Sequence, residues 1–132
     1  MLGQDYILDA SAVLAVLFAE QGADRVIELA DLSFMTGVTV AEVITKLRQK
    51  GIQDPEAVLA ALQIEVDEVF SVKQAEACGK LHAETRGKKG GLSLADCICM
   101  AMAEWNGATA VTAEKEWPAA VAGRNIKVLV IR

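Results

Sequence analysis

Aromatic side chains are scarce in this chain of 132 residues: three Phe, two Trp and one Tyr make up 5%. Stacking platforms for single-stranded bases are therefore not evident. Cysteine is also rare and odd in number, at Cys78, Cys97 and Cys99. No Cys-x-x-Cys pair occurs, and Cys97 and Cys99 would face different ways on a helix. Neither a disulfide framework nor a zinc site is indicated, and a reducing cytoplasm fits. All three read as small buried apolar residues. A single histidine, His82, argues against a histidine-paired hydrolase. Basic residues do not prevail: 13 Lys and Arg stand against 18 Asp and Glu, a net charge of −5. A broad basic footprint for nucleic acid is absent. Nucleic acid is not excluded by this, because an acidic site that takes a divalent cation becomes locally positive. The apolar run over 10–19 is broken by Ser11 and follows Asp5 and Asp9. It is neither a signal peptide nor a membrane span.

What the chain has is apolar bulk: 53% of residues are hydrophobic, and 22 are alanine. Disorder is excluded. The length suits one domain over 1–132. The apolar excess hints at surface covered by a partner or a second copy. A short buried strand is expected over 6–9, and helices over 11–20 and 23–32 with a break at Gly22. A strand follows over 33–36 and a helix over 39–50, ended by Gly51. Asp54 and Pro55 open a helix to about 62. The stretch 64–69 alternates apolar and acidic residues, as a sheet-edge strand does. Helices are expected over 71–86 and 93–105, with a Gly-Lys-Lys-Gly-Gly loop between them. Strands are expected over 108–112 and 127–131, and Trp117-Pro118 breaks the pattern. This alternation predicts an α/β domain with a mainly parallel central sheet of four to five strands flanked by helices.

Three carboxylates are isolated in apolar surroundings. Asp9 is the sole charge between Asp5 and Glu20, Glu42 between Asp31 and Lys46, and Asp96 between Lys89 and Glu104. The helix after Asp96 is apolar nearly all round, as in a buried helix. An ionised carboxylate there costs several kcal/mol unless it is paired or binds metal. Local capping is the competing explanation. Thr39-x-x-Glu42 and Ser93-x-x-Asp96 have capping-box spacing, Asp9 can cap the following helix, and Glu42 and Lys46 have ion-pair spacing. All three acids nevertheless fall just after a strand or in a helix's first turn, where open α/β sheets form their ligand crevice. Several acids converging there favour Mg²⁺ or Mn²⁺. Glu114, just after the fourth strand, can reach the same crevice, with Glu116 or plain surface placement as the competing readings.

At these residues the sequence resembles the PIN domain family, and within it the VapC-type toxins of toxin–antitoxin pairs. Ile7-Leu8-Asp9-Ala10-Ser11-Ala12 is similar to the family's opening strand and first Asp. Val40-Ala41-Glu42-Val43 is similar to its Glu segment, and Gly91-Leu92-Ser93-Leu94-Ala95-Asp96 is the most specific match. Ala110-Val111-Thr112-Ala113-Glu114 matches the segment where the family usually carries Asp, and Glu stands there instead, one methylene longer. The resemblance spans essentially the whole chain. It implies a metal-dependent endoribonuclease in which Asp9, Glu42 and Asp96 hold one Mg²⁺ or Mn²⁺ and Glu114 with Asp96 helps hold a second. One ion would lower the pKa of an attacking water and the other would stabilise the leaving oxygen. Ser11 and Thr112 would orient water and carboxylates, or serve simply as a helix cap and a strand-end hydroxyl. The implied partners are RNA, a cognate antitoxin that sits partly on the early helices, and a second copy of the chain, in the cytoplasm and away from membranes.

Arg86, Lys88 and Lys89 can hold an RNA backbone near Asp96, or form a solvated turn. Lys46, Arg48 and Lys50 read as a wet helix face, and His82 as packing or surface. Leu14, Leu17 and Phe18 have core spacing, and Trp105 and Trp117 read as packing anchors. The rival function is a catalytically weak or inactive PIN-like module that binds RNA or protein. An aspartyl-phosphate domain is set aside, because Asp9-Ala10-Ser11 lacks a second Asp.

Overall fold

The computed structural model describes residues 4–86 and 91–132. Five short strands form one parallel sheet: β1 (Tyr6–Leu8), β2 (Ser33–Thr36), β3 (Glu65–Asp67), β4 (Thr109–Thr112) and β5 (Lys127–Val130), in the order β3-β2-β1-β4-β5. Between them run α1 (Ala10–Leu17), α2 (Ala23–Leu29), α3 (Gly37–Gln49), α4 (Pro55–Ala60), α5 (Val72–Thr85), α6 (Leu94–Asn106) and α7 (Trp117–Ala120).

The period-2 alternation of strands divides the core in two. Ile7, Phe34 and Ala110 lie in register and pack against α5, α6 and Trp117. Their chain neighbours Leu8, Met35 and Val111 face the other way, onto α1, α3 and α4. All six are 2% exposed or less, so the central strands read as continuous apolar runs with helices over both faces. β3 sits at one edge, as its acidic alternation predicts, but Val66 on it is exposed and Asp67 half-buried.

Strand order fixes where a site can form. The chain lays β1, β2 and β3 to one side, then returns to place β4 on the other side of β1. The carboxyl ends of β1 and β4 therefore flank the point where the order reverses, the usual ligand crevice of an open α/β sheet.

Three local expectations change. The second helix stops at Leu29, and Ala30–Leu32 is a 3-10 turn. Trp117-Pro118 does not break the pattern but opens α7, since proline is tolerated in a helix's first turn. Trp117 is fully buried, but Trp105 is half exposed on α6 and is not a core anchor.

Gly22 precedes α2 with φ +97°, and a Cβ there would meet the Ile131 carbonyl oxygen at 2.7 Å and Cγ1 at 2.8 Å. Gly51 has φ +83° but open space around it. Gly22→Ala should therefore cost about 2 kcal/mol or more, from the left-handed backbone plus overpacking against the residue after β5. Gly51→Ala should cost only about 1 kcal/mol. Denaturant unfolding of both variants checks this, and equal losses would mean that the Ile131 contact carries no weight.

Candidate metal and phosphate centre

Asp9 follows β1 directly and is 4% exposed. Its amide donates to the Val111 carbonyl at 2.9 Å, which carries the β1–β4 pairing one step beyond the strand. Its carboxylate is held by hydroxyls. Ser11 Oγ donates to Asp9 Oδ2 at 2.7 Å and Thr112 Oγ1 donates to the same oxygen at 3.1 Å. The Ser11 amide lies 3.4 Å from it, so Asp9 also caps α1. The two hydroxyls are 3.2 Å apart. The Ala113 amide donates to Ser11 Oγ at 2.9 Å, and the Glu114 amide to Thr112 Oγ1 at 3.0 Å. This knot ties the β1–α1 turn to the end of β4 and leaves Asp9 Oδ1 without a side-chain donor among the described residues.

Glu42 reaches the same place from α3. The N-cap of α3 is Thr36, whose hydroxyl accepts from the Thr39 amide at 3.3 Å. The Thr39–Glu42 capping box allowed by spacing is therefore not formed, and Glu42 is free of a capping role. Thr39 Oγ1 instead donates to the Leu8 carbonyl at 3.4 Å, which anchors the start of α3 beside the end of β1. No ion pair joins Glu42 to Lys46 among the described residues, though the lysine's charge does act on the carboxyl.

Asp96 does form its capping box. Ser93 Oγ accepts from the Asp96 amide at 3.1 Å, and Asp96 Oδ2 accepts from the Ser93 amide at 3.1 Å. Both explanations thus hold for Asp96 at once: it caps α6, and its charge reaches the other acids. Glu114, after β4, is shared. Glu116 acts on it by charge and by a side-chain hydrogen bond, and Asp9 and Asp96 act on it more weakly.

The carboxyl groups of these segments act on one another by charge. Burial raises the pKa of Asp9, and Asp96 raises it further against the Ser11 and Thr112 bonds. Burial, then Asp9, then Asp96 push Glu42 up to about 6, with Lys46 opposing. Burial, then Glu116, then Asp9 and Asp96 raise Glu114. Asp9 and Asp96 thus act by like charge on Glu42 and Glu114 at the switch point, and Asp96 on Asp9. Beneath them lies buried Cys99, whose thiol is raised well above its usual range by burial and by Asp9, Asp96 and Glu42. Cys99 is buried as its sequence context predicts, but its place under the acids and the hydrogen bond between Glu114 and Glu116 do not follow from spacing.

Among the described residues, no group of three Asp, Glu, His or Cys side chains stands in a metal-holding arrangement. Asp96 Oδ2 accepts from the Ser93 amide, and Glu114 is hydrogen-bonded to Glu116. The donor set nevertheless suits a hard divalent cation: it offers only carboxylate and hydroxyl oxygens, with an excess of negative charge. Lys88 and Lys89 lie outside the described residues. Arg86 is exposed at the C-terminal end of α5.

A carboxyl whose folded pKa lies above its unfolded value binds more protons when folded, so its contribution to stability falls as pH rises between the two values. Without divalent cation, the wild type should therefore lose melting temperature relative to Glu42→Gln as pH rises from about 4.5 through about 6. Added Mn²⁺ should remove most of that relative loss at pH 7. Thermal melts of both proteins across this range test it, and parallel curves would show that Glu42 is not electrostatically strained.

A family model described as PIN domain matches residues 6–122. No curated protein matches the chain in sequence. Among solved structures, it is similar to VapBC2 from Rickettsia felis bound to a DNA fragment from their promoter, with TM-score 0.75 and 16% identity, covering 98% of this chain and 100% of that one. It is similar to DNA-bound VapBC from Salmonella typhimurium, with TM-score 0.73 and 18% identity, covering 98% and 99%. It is also similar to PAE2754 from Pyrobaculum aerophilum, with TM-score 0.69 and 21% identity, covering 93% and 89%. At these identities the likeness is one of fold. The family match spans most of the chain and includes all four acid segments, so this chain belongs to the PIN domain family.

Proposed function

We propose that this protein is a metal-dependent endoribonuclease, the toxin of a toxin–antitoxin pair. The observation that carries the reading is the gathering of Asp9, Glu42, Asp96 and Glu114 at the switch point of the sheet, where Asp9 and Asp96 act by charge on both Glu42 and Glu114. A folded protein does not gain stability from such a cluster, and a cation with an RNA phosphate resolves it.

In this reading Asp9, Glu42 and Asp96 hold one Mg²⁺ or Mn²⁺, and Glu114 with Asp96 a second. Bound there, the ions supply an attacking water of lowered pKa and offset the charge of the phosphate and leaving oxygen. The chain's own residues do the rest. Ser11 and Thr112 fix the rotation of Asp9 through its Oδ2. Glu42 gives up a proton when the site fills at weakly acidic pH. Asp96 orients α6 through its cap while presenting its charge to the crevice. Arg86, Lys88 and Lys89 take the RNA backbone.

The proposed partner is an antitoxin peptide. An apolar groove of about 320 Å³ lined by Val16, Val26, Ile27, Leu62 and Ile64 supports this, with Ile27 57% exposed in it. The groove lies between the first two helices and the end of α4, away from the acids. The reading also includes a homodimer, for which exposed Trp105 offers apolar contact. Among the described residues no helix is long and apolar enough to cross a membrane, and the proposed location is the cytoplasm.

The purified protein, freed of any partner, should cleave RNA with Mn²⁺ or Mg²⁺. Cleavage should vanish with EDTA and fall at least about 100-fold in Asp96→Asn, a loss typical for removing a group that acts on transition-state charge. Equal activity in the variant would overturn the assigned chemistry. No cleavage by folded, metal-loaded protein would favour the rival binding module, for which the Glu114–Glu116 contact is the supporting observation. Ile27→Glu should leave cleavage unchanged and weaken inhibition by the antitoxin at least about tenfold, since it places a charge in an apolar contact. An inhibition assay with the co-expressed partner reads this directly.

A further inference from the structure

A second cavity opens beside the acids, at the carboxyl ends of β2 and β3. It has a volume of about 500 Å³ and is walled by Val38, Val40, Val66 and Ile98, with Phe70 and Asp67 at its rim. Its position follows from the sheet. Thr36 pairs with Asp67 in register, and these two residues end their strands on the same edge as Asp9 and Thr112. Val38 precedes Glu42 by one helical turn on α3, so their side chains are neighbours. Ile98 lies on α6 as Asp96 does, two residues on and on another side of the helix. The cavity and the acid cluster therefore share two helices and one edge of the sheet.

The chemistry of this cavity differs from that of the acid site. Its walls are apolar, and Phe70 is 48% exposed, so a flat face is available to a ligand. Asp67 is half-buried and already committed at one oxygen: Oδ1 accepts from the Val69 amide at 3.0 Å. That bond fixes the carboxylate and leaves Oδ2 as an acceptor with no protein donor among the described residues. Glu68 adds a second acceptor beside it. Neither lysine nor arginine is among the lining residues, so a phosphate does not belong here. Apolar walls, one aromatic face and a fixed acceptor suit a planar ring that carries N–H donors.

We infer that this cavity receives a nucleobase with an exocyclic amino group, stacked on Phe70 and donating to Asp67, while the adjoining backbone lies at the acids. The inference deepens the nuclease reading and rests on it for RNA as the ligand. Unpaired bases of single-stranded RNA are read by stacking and edge hydrogen bonds of this kind, and carboxylates accept from base amino groups. Guanine, adenine and cytosine meet the requirement, whereas uracil has no amino group and its one free ring N–H, at N3, lies between two carbonyl oxygens that repel a carboxylate. Gly37 also lines the cavity, and a Cβ there meets nothing within 4 Å. The cavity can thus be filled from this position without disturbing the backbone.

Calorimetric titration of the intact protein with guanosine, adenosine, cytidine and uridine tests the inference. Nucleosides carry no phosphate, so their binding does not depend on the acids or on metal. The amino-bearing nucleosides should bind and uridine should bind at least about tenfold more weakly. Phe70→Ala should weaken all of them about tenfold. Asp67→Asn keeps the acceptor for Val69 and turns the free position into a donor, so it should reverse the order in favour of uridine. Gly37→Leu should abolish binding, with the fold checked by circular dichroism. No saturable binding, or equal binding of all four nucleosides unaffected by Phe70→Ala, overturns the inference. So does a dimer in sedimentation velocity that Phe70→Ala dissociates, because a second copy would then own the cavity. Nucleoside binding without RNA cleavage would sink the nuclease reading and leave the base site standing, and cleavage without nucleoside binding would do the reverse.

Discussion

Two hydroxyls, from Ser11 and Thr112, hold the buried carboxylate of Asp9, and among the described residues no lysine or arginine acts on it. A hydroxyl stabilises a carboxylate without cancelling its charge. The negative field therefore survives at the carboxyl ends of β1 and β4, where Glu42, Asp96 and Glu114 add to it. A basic partner would have relieved the repulsion and removed the site. Stability is given up at this point in the fold, and the two apolar layers on either face of the sheet make that loss tolerable.

The same knot does mechanical work. Its bonds run from the β1–α1 turn to the end of β4, and the Thr39 bond to Leu8 brings in α3. Segments about 30 and 100 residues apart in sequence are fixed against one another by side chains of three small polar residues. α6 is set by its own capping box, so Asp96 both starts the helix and delivers charge. Capping and function are not rivals here, because a carboxylate in a helix's first turn lies where the helix dipole and the crevice meet.

Much of the architecture was legible along the chain. Strands alternate with helices as expected, and β3 is an edge strand, as Glu65 and Asp67 around Val66 imply. Asp54 and Ser71 cap α4 and α5 at the positions their side chains favour. The failures were local and have a common cause. Trp105 reads as a packing anchor, but α6 turns that position outward. Thr39 and Glu42 have the spacing of a capping box, yet Thr36 stands one turn earlier with the extended backbone that a cap needs. In both cases spacing was right and the phase of the helix was unknown.

The sequence alone determined which acids are isolated from compensating charge, since that depends only on what surrounds Asp9, Glu42 and Asp96 along the chain. It determined the two-faced strands too, because alternation is a local property of extended backbone. Only the tertiary structure decided that β4 returns beside β1, and so that Glu114 and Thr112 meet Asp9. Strand order is set by how helices pack across the sheet, which no local pattern encodes. The cavity between Phe70, Asp67 and Ile98 belongs to the same category. Its residues come from β3, α3 and α6, and their chemistry acquires meaning only when three distant segments share one edge.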